Sequence, residues 1–307
     1  MIFDVVTLQE IQEAIDRCDE DFFLQRLAPK PREPKKVRIH SALMVSAHKA
    51  KHLNKLDELQ CDAAIINLED GVAPKFKRVA LLAAALFIQH TPATAPMLVV
   101  RINPLEEGGE EEIEFLNPYM PDAIRVPKVR SVEDVAKALG LVEEPIEVHL
   151  SIETKEAWRN FGGFRIDERV SALYLGILDL LADLDIPQST LRLQNPTIDH
   201  ILAKFLVESK ASGLYPVSFV YQKYQDLEEF EEWCRYEKAM GYEAKVCITP
   251  DQVEVVNRIF SWDRQKALYI KERFERMREQ GITGFVDEKY GFVDEPIYKD
   301  ALNILSK

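Results

Sequence analysis

Two acidic residues, Glu153 and Asp179, each close an apolar run within residues 150–184, at a spacing that suits a divalent-cation site. The first run, residues 147–154, alternates into a core and stops at a carboxylate; the second, residues 172–179, repeats the pattern. Gly162 and Gly163 close the short helix expected at about 155–161, so the runs become neighbouring parallel strands with adjacent carboxylates. Such a pair is a hard oxygen site for Mg²⁺ or Mn²⁺, with positions left for water and an oxygen-rich substrate. In a plainer reading, Glu153 caps the following helix with Thr154 and Asp179 opens the next one. Spacing alone leaves both readings open.

The elements that must position these residues begin at Ile39, where short apolar runs start to alternate with amphipathic stretches. Strands are expected at 42–45, 63–68, 97–102, 123–126, 148–152, 172–175, 217–221 and 244–248. Helices are expected at 49–59, 75–89, 132–139, 198–212, 227–240 and 251–259. Eight such units are expected to close as an α/β TIM barrel, which carries its chemistry at the C-terminal strand ends. Those ends hold Glu69 and Asp70, then Arg101 and Asn103, then Lys128. Arg101 beside Glu69 or Asp70 also reads as a structural ion pair.

Outside the barrel, taken as residues 39–261, Thr7 and Glu10 resemble a capping box. Ile11, Ala14, Ile15, Phe22 and Phe23 recur at helical spacing, so residues 1–38 form a helical appendage with a basic, proline-rich connector over 29–37. Residues 262–307 form a helical and hairpin extension: apolar segments at 284–286 and 291–293 flank a charged turn, and Pro296 opens a helix.

A net charge of −13 argues against a broad nucleic-acid or anionic-membrane surface, and no apolar run approaches bilayer length. Cys18, Cys61, Cys234 and Cys247 are scattered without metal spacing, and the N-terminus lacks a basic region followed by an apolar one, so the expected setting is the reducing cytoplasm. His48 and His52 lie four apart but lack a third ligand in view. Trp158, Trp233 and Trp262 are expected to pack helices, and residues 106–112 to form a solvated acidic loop entering a helix.

Several short pieces, in order and at their spacing, carry a resemblance: Leu68-Glu-Asp-Gly-Val72, Val100-Arg-Ile-Asn103, Val126-Pro-Lys-Val129, Ile152-Glu-Thr154, Gly176-Ile-Leu-Asp-Leu180, Val246-Cys-Ile-Thr-Pro-Asp-Gln252 and Val255-Val-Asn257, with a closing segment at 284–296. From Ser41 onward the chain resembles the citrate lyase beta subunit and HpcH/HpaI aldolase superfamily. The resemblance implies a Mg²⁺-dependent lyase that cleaves or forms a carbon–carbon bond between an acyl-CoA and a 2-keto acid. It also implies a C-terminal extension packed on a neighbouring subunit of a homotrimer or homohexamer. It makes Glu153 and Asp179 the metal ligands, and Arg101 the contact to substrate carboxylate and enolate oxygens. Glu69 and Asp70 become the acidic pair that orients Arg101, and Asp294 an acid brought over the site by an adjacent subunit. Lys49 and Lys51 stand where arginines are usual and are expected to meet coenzyme A phosphates, with Lys128 at the rim as a further substrate contact.

Ser46-Ala47 replaces the usual Pro-Gly turn, and Leu178, Ser218 and Thr249 replace a glutamate, an aspartate and a histidine. These departures favour an altered substrate. Two alternatives stay beside the lyase: a coenzyme A-independent aldolase acting on hydroxy keto acids, and a non-catalytic or partner-dependent homologue.

Overall fold

In the computed structural model, residues 1–30 and 32–306 are described; Pro31, within the expected connector, and Lys307, at the end of the expected extension, lie outside them. Eight parallel strands follow one another around the first unit: β1 (Ser41–Ser46), β2 (Ala63–Asn67), β3 (Met97–Arg101), β4 (Ala123–Val126), β5 (Glu147–Ile152), β6 (Val170–Leu175), β7 (Tyr215–Val217) and β8 (Lys245–Cys247). They pair in the order β7-β6-β5-β4-β3-β2-β1-β8, and a single parallel bridge from Ser218 to Lys245 joins the two ends into a nearly closed TIM barrel. β2, β3, β4 and β5 are buried along their whole length, as strands covered on both faces must be.

The helices of this unit are α1 (Val5–Arg17), α2 (Glu20–Leu24), α3 (Ala50–Leu53), α4 (Lys77–His90), α5 (Gly109–Leu116), α6 (Val132–Leu141), α7 (Lys155–Asn160), α8 (Ile177–Asp183), α9 (Pro196–Ala211), α10 (Leu227–Met240) and α11 (Pro250–Phe260). Residues 79–88 of α4 are all buried, which a barrel helix with one solvent face would not allow. The reason is that α1 and α2 lie over it, with Ile11, Ala14, Ile15 and Phe23 joining the same core.

Four local expectations change. Helix α1 is capped three residues before the expected Thr7, because the Asp4 carboxylate takes the N–H groups of Val6 and Thr7 at 2.9 and 3.0 Å. The seventh strand ends at Val217 rather than Tyr221, since the chain turns out of the sheet to set Phe219 against Trp233 and Tyr221 against Phe230. The helix expected at 49–59 shortens to α3 and continues as turns. Residues 106–112 do enter a helix, with Glu106, Glu107 and Glu111 exposed, but they run through a 3-10 turn into α5 and Glu112 is buried against Asn103.

Residues Ser261–Lys307 form a second compact unit. It contains α12 (Arg264–Glu279), an antiparallel hairpin of β9 (Gly284–Asp287) and β10 (Gly291–Asp294), and α13 (Glu295–Ser306). Asp287 makes the turn by accepting from the N–H groups of Lys289 and Tyr290 at 2.9 and 3.1 Å. Ala267, Ile270, Phe274, Val293, Tyr298 and Ala301 build a small core of its own, with Phe274 stacked on Tyr298 at 4.6 Å.

Candidate active site

Glu153 follows the last residue of β5 and is 2% exposed. It does not cap the next helix: Thr154 does, its hydroxyl accepting from the Ala157 N–H at 3.2 Å and donating to the Val129 carbonyl at 2.9 Å. That leaves the Glu153 carboxylate directed elsewhere. Its Oε1 accepts from the Lys128 backbone N–H at 2.7 Å, and Lys128 adopts a left-handed φ of 51° in presenting that N–H. On the other side stands Gly176, where a Cβ would lie 2.6 Å from the Glu153 Cβ, so the first residue after β6 has to be glycine for the carboxylate to sit here.

Asp179 is exposed in the first turn of α8, which no side chain caps. Both carboxylates line one cavity of about 410 Å³, together with Asp70, Arg101, Arg125 and Leu178. Arg101, the last residue of β3, is 7% exposed and pairs closely with Glu69. Its Nη2 is also 3.7 Å from Asp70 Oδ2 and 3.7 Å from Glu153 Oε2. Arg101 is therefore at once the ion-paired arginine and one that lines the cavity.

Burial pushes the Glu69 carboxyl up to about 7 against the pull of Arg101, with Glu153 and Asp70 adding to the rise. The Lys128 amine lies 3.5 Å from Glu69 Oε1. Burial draws its proton affinity down, but Glu69, Asp70 and Glu153 outweigh that and raise it, so the amine is a fixed cation and a poor nucleophile. Among the described residues no three His, Cys, Asp or Glu side chains converge as a ready cage. A metal here would rest on Glu153 and Asp179, whose hard oxygens suit Mg²⁺, with water and substrate oxygens completing its shell.

Glu69, Asp70 and Lys128 also line an adjoining cavity of about 510 Å³. Lys49 and Lys51 follow the C-terminal end of β1, are exposed, and line neither of these two cavities. Asp294 lies in the second unit, where its Oδ1 accepts from the Ile297 N–H at 3.3 Å and caps α13. Of the three departures, only Leu178 lines the cavity. Ser218 is fully buried beside Glu237, and the Thr249 hydroxyl caps α11 by accepting from the Gln252 N–H at 3.3 Å.

Sequence reasoning passed over the residues that brace the rim. The Lys77 amine donates to the carbonyls of Leu68 and Glu69 at 2.7 and 2.6 Å and to Asn103 Oδ1 at 2.7 Å. Glu112 holds Asn103 from the other side, accepting from its backbone N–H at 2.7 Å. It also passed over Arg125, although an arginine at an inward position of a four-residue apolar strand, in register with Arg101, was a readable signal.

Residues 40–250 match the family model of HpcH/HpaI aldolase/citrate lyase. The chain belongs to this family. The HpcH/HpaI resemblance read from the short motifs is thus borne out over the barrel. Among relatives, the (3S)-malyl-CoA thioesterase of Cereibacter sphaeroides is 29% identical over 226 residues, covering 72% of this chain and 76% of the relative. The mitochondrial citramalyl-CoA lyase of Homo sapiens is 26% identical over 292 residues, covering 87% of this chain and 84% of that one. The fold is shared with the CitE protein of Mycobacterium tuberculosis, solved in complex with magnesium, acetoacetate and coenzyme A. Its TM-score is 0.69 at 23% identity, over 87% of this chain and 96% of that one. Among the described residues of this HpcH/HpaI family member, no helix is long and apolar enough to cross a membrane.

Proposed function

We propose that this chain is a Mg²⁺-dependent carbon–carbon lyase that cleaves, or forms, the bond between an acyl-CoA and a 2-keto acid. The observation that carries this reading is the convergence of Glu153, Asp179 and Arg101 on one cavity at the C-terminal mouth of the barrel. Glu153 and Asp179 would hold the ion, which when bound supplies positive charge that stabilises an enolate. Glu153 is held ready by the Lys128 N–H and by the space that Gly176 leaves.

The remaining work falls to the chain itself. Cleavage next to the thioester carbonyl leaves an enolate on the acyl half and frees the keto acid. Arg101 donates to the developing oxyanion and to the substrate carboxylate, and Glu69 with Asp70 fixes its orientation. Lys128 adds a fixed positive charge at the rim. Because its acidic neighbours hold Lys128 as a cation and a poor nucleophile, the reaction runs without a covalent intermediate on it. Asp294, supplied by a neighbouring subunit of a homotrimer or homohexamer, takes the proton of the substrate hydroxyl as that carbon becomes the keto group and the carbon–carbon bond breaks, and returns it to the enolate carbon. Lys49 and Lys51, exposed beside the end of β1, meet coenzyme A phosphates as point charges. The names of the two relatives, both of which act on acyl-CoA thioesters, support the coenzyme A half of this reading. Four unpaired cysteines support the reducing cytoplasm as its setting.

The test is to incubate purified protein with Mg²⁺ and malyl-CoA, citramalyl-CoA or citryl-CoA, whose keto acid halves carry one, one and two carboxylates, measuring keto acid and free thiol separately. Keto acid release without free thiol, abolished by chelator, is the expected result. Free thiol without keto acid would indicate thioester hydrolysis instead. Turnover of free hydroxy keto acids but no thioester would favour the aldolase, and no turnover at all the non-catalytic homologue.

A further inference from the structure

The charged groups of the barrel interior gather on one side. β3, β4, β5 and β6 direct Arg101, Arg125, His149, Ser151 and Tyr174 inward, all of them buried. β7, β8, β1 and β2 supply Val217, Val246, Ala42 and Ile65. Arg125 is the charged member of this side, besides Arg101, that lines the cavity, and neither the metal site nor the lyase chemistry uses it. It is 4% exposed and lines the same cavity as Glu153 and Asp179.

Its surroundings satisfy only part of it. The Arg125 Nε donates to Ser151 Oγ at 2.9 Å, and its guanidinium carbon lies 4.1 Å from the centre of the Tyr174 ring. Its buried Nη1 has no hydrogen-bond partner among the described residues. Glu153 and Glu69 act on it at longer range, and neither forms an ion pair with it among the described residues. Burial, then repulsion from Arg101, presses the guanidinium down to about 10, which still leaves it a cation at neutral pH. A buried cation with a donor left over destabilises a fold unless an anion completes it. The anion that matches a planar guanidinium is a carboxylate.

We propose that Arg125 is a specificity-determining residue that holds a second substrate carboxylate at the cavity floor, so that the keto acid half of the substrate is a small keto diacid. This rests on the lyase reading, in which Arg101 takes the carboxylate beside the keto group. A monocarboxylate keto acid leaves Arg125 unanswered; a diacid answers both guanidinium groups. The cavity of about 410 Å³ has room for such a molecule beside the two metal-binding carboxylates.

The test is calorimetric titration, in Mg²⁺, of oxaloacetate and pyruvate, which share a keto-acid head and differ by one carboxylate. The wild-type protein is expected to bind oxaloacetate at least tenfold more tightly than pyruvate. Arg125→Met should bring that ratio near one by weakening oxaloacetate alone, and Arg125→Lys should keep part of it. Arg125→Met should also melt at or above the wild-type temperature, because the unsatisfied buried cation has gone. A ratio that is the same in wild type and Arg125→Met overturns the inference. So does equal weakening of both ligands, and so does a lower melting temperature with the preference kept, the mark of a structural role. If neither keto acid binds wild-type protein in Mg²⁺, the lyase reading itself fails and this inference falls with it; if both bind with equal affinity, the lyase reading stands and only the inference falls.

Discussion

Gly176→Ala tests whether packing beneath Glu153 sets the metal site. The added Cβ would lie 2.6 Å from the Glu153 Cβ, where ordinary contact begins at 3.4 Å, so one of the two must retreat by about 0.8 Å. Gly176 has φ −86° and ψ 68°, so the backbone itself tolerates alanine and the conflict is purely steric. A Cβ does not move when the side chain rotates, so the backbone after β5 or β6 has to shift and carries the Glu153 carboxylate with it. Overpacking of this kind costs about 1–3 kcal/mol, a fall of roughly 2–4 °C in Tm per kcal/mol for a unit of this size. The larger effect should be functional. A displacement near 1 Å at a positioned group costs about 10²-fold in turnover, and loss of ligand orientation typically weakens metal binding about 10–100-fold. Calorimetric titration of Mg²⁺, a thermal melt and a turnover assay on the same preparation read the three effects. Gly163→Ala is the control, because nothing lies within 4 Å of its added Cβ and all three readouts should stay at wild type. Wild-type Mg²⁺ affinity and turnover in Gly176→Ala would refute the reasoning, since Glu153 would then have room that the geometry denies it.

Four further outcomes follow from the same structure. Glu153→Gln and Asp179→Asn keep shape while removing charge, and each should weaken Mg²⁺ binding at least ~10-fold and abolish turnover with the fold intact, checked by titration and circular dichroism. Asp294→Asn should keep Mg²⁺ affinity but lose most turnover; mixed with Glu153→Gln protein it should regain activity once subunit exchange is shown independently, because hybrids place an intact Asp294 over an intact metal site. For Glu147, burial opposes ionisation, but His149, Ser171 and Lys36 together hold the carboxyl down at about 2. Its folded value is depressed, so its contribution, roughly 3 kcal/mol for a fall of this size, is present above the ordinary carboxylate range and lost as pH falls toward 2. Urea melts of Glu147→Gln should therefore trail wild type at pH 7 and converge with it near pH 2. Lys245 and Glu237 form a fully buried pair at 2.5 Å. Lys245→Met should cost about 3–5 kcal/mol by stranding Glu237, and Lys245→Met with Glu237→Leu should recover most of it in the same melts.

The order of the strands, the carboxylates at their ends and the family were all legible in the sequence, because each depends on local alternation and on motifs carried within a few residues. The hairpin at 284–294 was legible for the same reason: a charged turn between two short apolar segments leaves few other folds. Strand lengths at β7 were not, since Phe219 and Tyr221 leave the sheet for partners on α10 that lie far along the chain. Nor was the fate of Glu112, which reads as one more acid in a solvated run until Asn103 is brought against it. The choice between capping and metal binding at Glu153 was undecidable from spacing, because both uses place an acid at the same point after a strand. Tertiary structure removed the capping reading by giving the cap to Thr154 and turning the Lys128 N–H onto Glu153. It likewise separated Leu178 from Ser218 and Thr249, three departures that look alike in sequence, because which side of the barrel wall a residue faces depends on where its strand stops. Arg125 shows the same limit from the other side: its type was visible in the sequence, but only closure of the barrel left it buried over the cavity with a donor to spare.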